Sequence, residues 1–151
     1  MNKVKSFKDL IVWQEASKLA IDIALKLSPI LPKNEKYRLG DQIIRSSRSV
    51  PSQIAEGFRK SSYKEKNRYY EIAATSNNET ENHLIEAFNN KYIDERAFKY
   101  YSNRIIKVRI LLSRLMKSIR ICIAARTRQS RSKGATPVPT GDPIPPEGPS
   151  L

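Results

Sequence analysis

The chain has 151 residues, of which 28 are Lys or Arg and 15 are Asp or Glu, so its formal net charge is +13 and its pI is near 10.0. This length suits one domain, or one domain with a tail. So large a charge excess opposes tight self-packing and favours a polyanionic partner such as RNA, DNA or an anionic membrane. The single cysteine, Cys122, excludes an internal disulfide and suits a reducing cytoplasm, where we expect the protein. We expect neither a signal peptide nor a membrane span, because no apolar run approaches the roughly 20 residues that a spanning helix needs.

The first helix is predicted to begin near Ser6, because Ser6 and Asp9 have the spacing of a capping box and place a carboxylate in the first turn. Pro29 and Pro32 are predicted to end it, since proline has no N–H to donate and disfavours helix in the residue before it. Between these limits, residues at helical spacing form an amphipathic stripe: Leu10, Trp13, Ser17, Ala20, Ala24 and Leu27.

A second helix is predicted from near Asn34 to near Gly57, with Pro51 inside it. Proline removes one hydrogen bond and clashes with the Ser47 carbonyl, so we expect a kink in one continuous helix. Nearby serine hydroxyls are expected to satisfy the freed carbonyl. The apolar face of this helix is formed by Leu39, Ile43, Val50 and Ile54.

Ser62 and Glu65 form a second capping-box pattern and predict the start of a third helix. Residues 75–82 are unusually polar, so some of their side chains must find hydrogen-bond partners on other helices. Residues 89–91, Asn-Asn-Lys, predict a turn. The predicted inner face consists of Tyr70, Ala73, Asn77, Thr80, Leu84 and Phe88.

Asp94 is predicted to cap a fourth helix, which has the most regular pattern in the chain. Its heptad seam comprises Phe98, Tyr101, Ile105, Val108, Leu112, Leu115, Ile119 and Cys122. A second set widens the apolar face: Ile110, Leu111, Met116 and Ile123. The width predicts two contact surfaces, one inside the bundle and one with a neighbouring subunit.

These helices predict an all-α fold, an antiparallel up-down four-helix bundle over residues 1–125. From Arg126 the composition changes, and the stretch from Gly134 to the last residue contains six of the nine prolines and three of the five glycines. Such a composition cannot bury enough apolar surface to order itself. Residues 126–151 are therefore predicted to form a basic and then Pro/Gly-rich disordered tail.

Few residues suit catalysis. His83 is the only histidine and Cys122 the only thiol, so one chain cannot assemble a His/Cys zinc site, and we expect no metal and no cofactor. Nothing near His83 supports a Ser–His–Asp triad, and neither GxxxxGK[ST] nor GxGxxG occurs. Glu56 and Glu79 are candidates for metal-dependent RNA cleavage, but we prefer structural hydrogen bonding across the polar interior. A non-enzymatic protein is expected.

The distribution of charge is more informative. Between Glu95 and Asp142 there is no acidic residue, but there are twelve basic ones. A solvated helix face normally interleaves Glu with Lys and Arg, so this run favours an exposed polyanion-binding stripe. Without a base-reading motif, binding should be salt-sensitive and weakly sequence-specific. The predicted nucleic-acid-binding residues are Arg104, Lys107, Arg114, Lys117, Arg120, Arg126, Arg128, Arg131 and Lys133, extended by Arg48, Arg59 and Lys60.

Motifs in order along residues 6 to about 120 resemble the four-helix-bundle family of ribosomal-RNA intervening-sequence proteins. They are Phe7-Lys8-Asp9-Leu10 with Trp13-Gln14; Pro32, Glu35, Tyr37 and Leu39; Asp41-Gln42-Ile43 with Arg45; Ser49-Val50-Pro51-Ser52-Gln53-Ile54-Ala55-Glu56-Gly57; and Ser76, Glu79, Leu84 and Tyr92-Ile93. The resemblance implies a four-helix bundle that assembles as a ring-like homopentamer. Related bundles include the accessory variability determinant of diversity-generating retroelements, a basic pentamer that binds a reverse transcriptase and nucleic acid.

Two functions follow as hypotheses. The leading one is a non-enzymatic, homopentameric accessory protein that binds RNA or cDNA and assists the reverse transcriptase of a diversity-generating retroelement. The alternative is a protein encoded by an rRNA intervening sequence that acts as an RNA-binding protein or a protein-interaction scaffold.

Overall fold

The computed structural model describes residues 3–134. They form four α-helices and no strand: α1 (Ile11–Asp22), α2 (Asp41–Arg59), α3 (Tyr63–Asn89) and α4 (Glu95–Gly134). Each helix packs against two others, in the order α1, α2, α3, α4 and back to α1, so α2 and α4 are diagonal. Side-chain pairs such as Phe88 with Phe98 and Tyr63 with Arg126 show that α3 and α4 are antiparallel. The predicted bundle is confirmed. No helix in this part of the chain is long and apolar enough to cross a membrane.

The start of the first helix is split into two parts. The Ser6–Asp9 capping box is present, but it closes a single 3-10 turn, Phe7–Asp9. Leu10 is then extended (φ −74°, ψ 122°), and α1 begins only at Ile11.

The inner face of α1 is rotated from the predicted stripe. Ala20 and Leu27 are buried as predicted, but Ser17 and Ala24 are only half-buried and line a groove shared with Pro51 of α2. α1 packs against both α2 and α4, so its buried face is centred differently from the predicted stripe. The buried residues are Val12, Ala16, Leu19, Ala20, Ile23 and Leu27.

Helical conformation continues beyond α1 and past Pro29. A π-helical turn, Ile23–Leu27, is followed by a 3-10 turn, Ser28–Ile30, which accommodates Pro29. The helical path ends at Leu31, which is extended (φ −68°, ψ 152°), as expected of a residue before proline. Pro32 therefore ends this helix, and Pro29 does not.

Two short turns, Lys33–Glu35 and Lys36–Gly40, lead into α2, which passes through Pro51 as one helix. All four residues of its predicted apolar face are buried. The role expected for its serines is wrong, because the Ser46 and Ser47 hydroxyls donate to the carbonyls of Ile43 and Ile44, not to that of Ser47. A serine hydroxyl within a helix reaches the carbonyl of the preceding turn, and here that turn lies before Ser47.

The polar middle of α3 finds the partners that its burial requires. The Asn77 amide donates to the Ile105 carbonyl of α4 (3.1 Å), and the Thr80 hydroxyl donates to Ser46 Oγ of α2 (2.8 Å). The hydroxyls of Ser49 and Ser76 share a third bond (2.9 Å). These contacts connect α3 to both neighbours and confirm the prediction of interhelical polar partners.

The caps of α3 and α4 also follow the prediction. Ser62 Oγ accepts from the Glu65 N–H (3.1 Å), and Asp94 Oδ1 accepts from the Ala97 N–H (2.8 Å). Between these helices Lys91 adopts positive φ (60°), as the predicted turn requires. On α4 most of the seam is buried, with Met116 buried in place of Leu115.

α4 has 40 residues and extends to Gly134, so the boundary predicted at residue 125 is too early for the helix. Residues 126–133 contain neither proline nor glycine, and nothing in their local sequence stops the helix. The remainder of the predicted tail, residues 135–151, lies outside the described residues.

Candidate nucleic-acid interface

Four of the five cations in residues 95–110, here called the first half of α4, contact carboxylates, whereas Arg96 forms no salt bridge within residues 3–134. Arg104 forms an ion pair with Asp22 of α1, and its side chain is only 19% exposed. Lys107 lies 3.4 Å from Glu15 of α1, and Arg109 contacts Glu81 of α3. Arg104 and Lys107 thus join α4 to α1; the Arg104 side chain is largely buried in this contact, whereas Lys107 stays exposed, as the sequence predicts.

The Arg104–Asp22 contact changes the proton affinity of the acid. The hydrogen bond from Arg104 to Asp22, reinforced by the charge of Arg104, holds the pKa of that carboxyl below its ordinary value of 3.8 despite the opposing effect of burial. Asp22 is therefore a carboxylate at neutral pH, and it neutralises Arg104.

The cations in the second half of α4 have no such partners. Arg114, Lys117 and Arg120 are exposed, and none forms a salt bridge within residues 3–134. Every residue from 124 to 134 is exposed as well. At 1.5 Å per residue this part of α4, here called the projecting segment (124–134), extends roughly 15 Å along the helix axis. Its four cations are Arg126, Arg128, Arg131 and Lys133.

The three cations predicted to extend the stripe are separated. Arg48 lies in the middle of α2, diagonal to α4, where it borders the groove between α1 and α2. Arg59 and Lys60 lie at the end of α2, next to the start of α3 and therefore near Arg126. The fold brings these two, but not Arg48, to the same end as the projecting segment.

The antiparallel topology concentrates charge at this end of the bundle. We call residues 3–14, 50–75 and 111–134 the basic end; they contain fifteen Lys or Arg and four Asp or Glu. The other half, residues 15–49 and 76–110, contains thirteen Lys or Arg and nine Asp or Glu. The basic end includes Lys3, Lys5 and Lys8, which we did not identify from sequence. They could have been predicted from the up-down order of the helices, because this order places residues 3–14 beside the end of α4.

One cation of the basic end is committed to the fold. Lys66 Nζ donates to the Phe58 carbonyl (2.5 Å) at the last turn of α2, where carbonyls lack helical partners. Burial lowers the pKa of the Lys66 ammonium. Lys66 therefore caps α2, and the exposed cations around it remain available to phosphates.

The candidate catalytic side chains do not converge. Glu56 and Glu79 are both exposed, so the interior hydrogen bonding expected of them is wrong; the interior is occupied by shorter Ser, Thr and Asn side chains. His83 is 8% exposed, and Glu79 and Glu86 approach its ring nitrogens at 3.8 and 3.9 Å. Within residues 3–134 no three His, Cys, Asp or Glu side chains are placed to hold a metal ion.

Comparison with known proteins identifies one matching family and a solved structure with a similar fold. Residues 8–114 match the family described as 23S rRNA-intervening sequence protein. A solved structure from Bacteroides thetaiotaomicron, described as a protein with unknown function from the S23 ribosomal protein family, is similar with a TM-score of 0.67 and 26% identity. The similarity covers 73% of this chain and 98% of that chain. No curated protein matches the chain. The family match ends before the projecting segment begins.

Proposed function

Since the chain belongs to the 23S rRNA-intervening sequence protein family, we propose that it is a non-enzymatic protein that binds the phosphate backbone of RNA through its basic end. The observation that carries the proposal is the projecting segment, an exposed length of helix with four cations and no acid. The family match supports the fold, its description supports the choice of RNA as ligand, and the charge distribution supports the choice of binding surface.

The arrangement of these cations suits phosphates rather than base edges. Arg126, Arg128, Arg131 and Lys133 are spaced by two, three and two residues, which distributes them around the helix. Phosphates on more than one side of the segment are therefore within reach. Contacts of this kind release counterions, so the affinity should fall steeply with salt and depend weakly on sequence.

We propose that the protein acts as a homo-oligomer, with a pentamer favoured by the resemblance noted above. Exposed apolar side chains support association: Ile21 at the end of α1, Leu25 in the π-helical turn after it, and Ile106 and Ile110 on α4 are 39–71% exposed. In an oligomer several basic ends would act on one RNA, which raises the overall affinity without any new contact.

The family match favours the intervening-sequence function over the retroelement function. A reverse-transcriptase partner, a DNA ligand and a cytoplasmic location stay predictions from the sequence. Neither the described side chains nor the matched family bear on a polymerase partner.

The test is a fluorescence-anisotropy titration of a structured rRNA fragment with the full chain at about 50 and 200 mM salt. A variant with the four cations of the projecting segment replaced by Gln should bind on the order of 100-fold more weakly, and its salt slope should fall by about 3. A matched control replaces four exposed cations of the opposite half, Lys33, Lys36, Arg38 and Arg45, and should bind nearly as the wild type. Salt-independent binding, or equal losses in both variants, would contradict the proposal.

A further inference from the structure

We propose that the basic end holds unpaired nucleotides by stacking a base on the guanidinium of Arg126, an inference that rests on the proposed function and specifies its ligand. The guanidinium carbon of Arg126 lies 4.3 Å from the centroid of the Tyr63 ring. Tyr63 is half-buried at the start of α3, whereas Arg126 is exposed. The ring therefore lies against the guanidinium, while the Arg126 side chain stays exposed to solvent.

A planar cation held in this way is a stacking platform. Bases of single-stranded nucleic acids stack on aromatic rings and on arginine guanidinium planes. Here the Tyr63 ring orients the guanidinium before any nucleotide arrives, so less side-chain freedom is lost on binding. A cleft of about 160 Å³ lies beside the pair, and Lys64 on its wall is exposed and suited to the phosphate of a stacked nucleotide.

Aromatic rings and cations recur around this point. Lys60 Nζ lies 5.0 Å from the centroid of the Tyr69 ring, and Lys66 Nζ lies 5.3 Å from that of Phe58. With the Tyr63–Arg126 pair, three of the five cation–π pairs found in residues 3–134 therefore surround the connection between α2 and α3. Lys66 caps α2, so Arg126 and Lys60 are the cations of these three pairs that can meet a ligand; aromatic and basic side chains side by side are typical of surfaces that bind single strands.

This arrangement discriminates between unpaired and paired strands. In a duplex the bases are already stacked on each other and present no free face to a side chain. Phosphate contacts alone bind single strands and duplexes alike, so a preference for single strands requires the stacking contact. The inferred ligand is a loop, bulge or end of RNA next to a duplex that the projecting segment holds.

The test compares an unstructured RNA of about 12 nucleotides, a single-stranded DNA of the same sequence and the corresponding RNA duplex, each titrated with the full chain at two salt concentrations. The decisive variant is Arg126→Lys, which keeps the charge and loses the planar group. Its matched control is Arg128→Lys, the same change at an exposed arginine for which the structure records no ring contact. Tyr63→Leu removes the supporting ring while keeping an apolar side chain, and its folding is checked by thermal unfolding.

Arg126→Lys should weaken binding of both single strands about tenfold, leave their salt slopes unchanged and leave duplex binding unchanged. Arg128→Lys should change none of these values, and Tyr63→Leu should resemble Arg126→Lys. Equal affinities of the two Arg→Lys variants for single strands, or a loss confined to RNA, would overturn the stacking inference while the proposed function stands. If the wild type binds neither form with salt dependence, the proposed function itself fails.

Discussion

The two halves of α4 carry similar runs of Lys and Arg but use them differently. In the first half, four cations contact acids: Lys99 contacts Glu95 on α4 itself, and Arg104, Lys107 and Arg109 contact acids on neighbouring helices. In the second half the cations are exposed and form no salt bridge within residues 3–134. An uninterrupted basic run along a sequence therefore does not imply an uncompensated basic surface, because its counter-charges can come from other helices.

The difference has a geometric cause. α1 and α3 flank the first half of α4 and place Glu15, Asp22 and Glu81 against it. The projecting segment is exposed along its whole length and meets no carboxylate within the described residues. Charge that is paired with a carboxylate can contribute to stability, whereas exposed charge without such a partner, as on Arg114, Lys117, Arg120 and the projecting segment, is available to a ligand.

The largest expected effect is on RNA affinity, and it distinguishes the unpaired cations of α4 from those paired with carboxylates. Replacing Arg114, Lys117 and Arg120 with Gln should weaken binding of structured RNA by about 100-fold at low salt, because three phosphate contacts are lost. The free energy of unfolding should be nearly unchanged. Anisotropy titration and urea denaturation of the same variant measure both quantities.

The control for that variant makes the same substitutions at the paired residues Arg104, Lys107 and Arg109. It should retain most of the RNA affinity and lose about 1–3 kcal/mol of stability, because Glu15 and Glu81 lose their partners and Asp22 keeps only Lys26. If both triple variants lose affinity equally, the distinction between paired and free cations is wrong.

Packing at the basic end can be tested with two glycines. A Cβ on Gly57 would lie 2.8 Å from Tyr70 Cε1 and 3.0 Å from Tyr69 Cβ, and Tyr70 is buried. Gly57→Ala should therefore cost about 1–3 kcal/mol in free energy of unfolding, even though alanine favours helix. Gly134→Ala is the control, since nothing lies within 4 Å of its added Cβ. Equal stability of the two variants in urea denaturation would show that α2 and α3 are not packed closely at Gly57.

A smaller effect concerns the pH dependence of the Arg104–Asp22 pair. The folded-state pKa of Asp22 is below its ordinary value of 3.8, so the unfolded state binds this proton more readily. The stabilisation is fully present above about pH 3.8 and is lost as the pH falls through the lowered folded-state pKa. Asp22→Asn should cost about 1 kcal/mol at neutral pH, and its difference from wild type should shrink in acid.

Urea denaturation at neutral pH and near pH 3 provides the measurement for Asp22→Asn. Lys99→Gln, which breaks an ion pair whose side chains are 68% and 70% exposed, should change stability little at either pH. A cost of Asp22→Asn that does not depend on pH would mean that the carboxylate charge is not what Arg104 recognises.

The smallest expected effect on stability concerns the end of α4. Ending the chain after Thr127 removes only exposed helix from the described residues, so the midpoint of thermal unfolding should shift by less than about 2 °C while RNA affinity falls. Ending it after Leu111 removes the buried Leu112, Met116 and Ile119 and should prevent folding. A large shift from the first truncation would show that the projecting segment contributes to the core.

The sequence alone determined the features that depend on neighbouring residues. The caps at Ser62 and Asp94, the inner faces of α2 and α3, the continuity of α2 through Pro51 and most of the α4 seam were all predictable. Each depends on contacts within about four residues or on the helical repeat, which the linear order displays directly.

Only the tertiary structure decided which face of α1 is buried and which cations are free. The buried face of α1 depends on its packing against both α2 and α4, which no local pattern specifies. The acids that pair with Arg104 and Lys107 are 82 and 92 residues away in the chain. The ion pairs and the contact between Tyr63 and Arg126 depend on which helices lie side by side. The cations available to RNA are those that this packing leaves without a carboxylate partner.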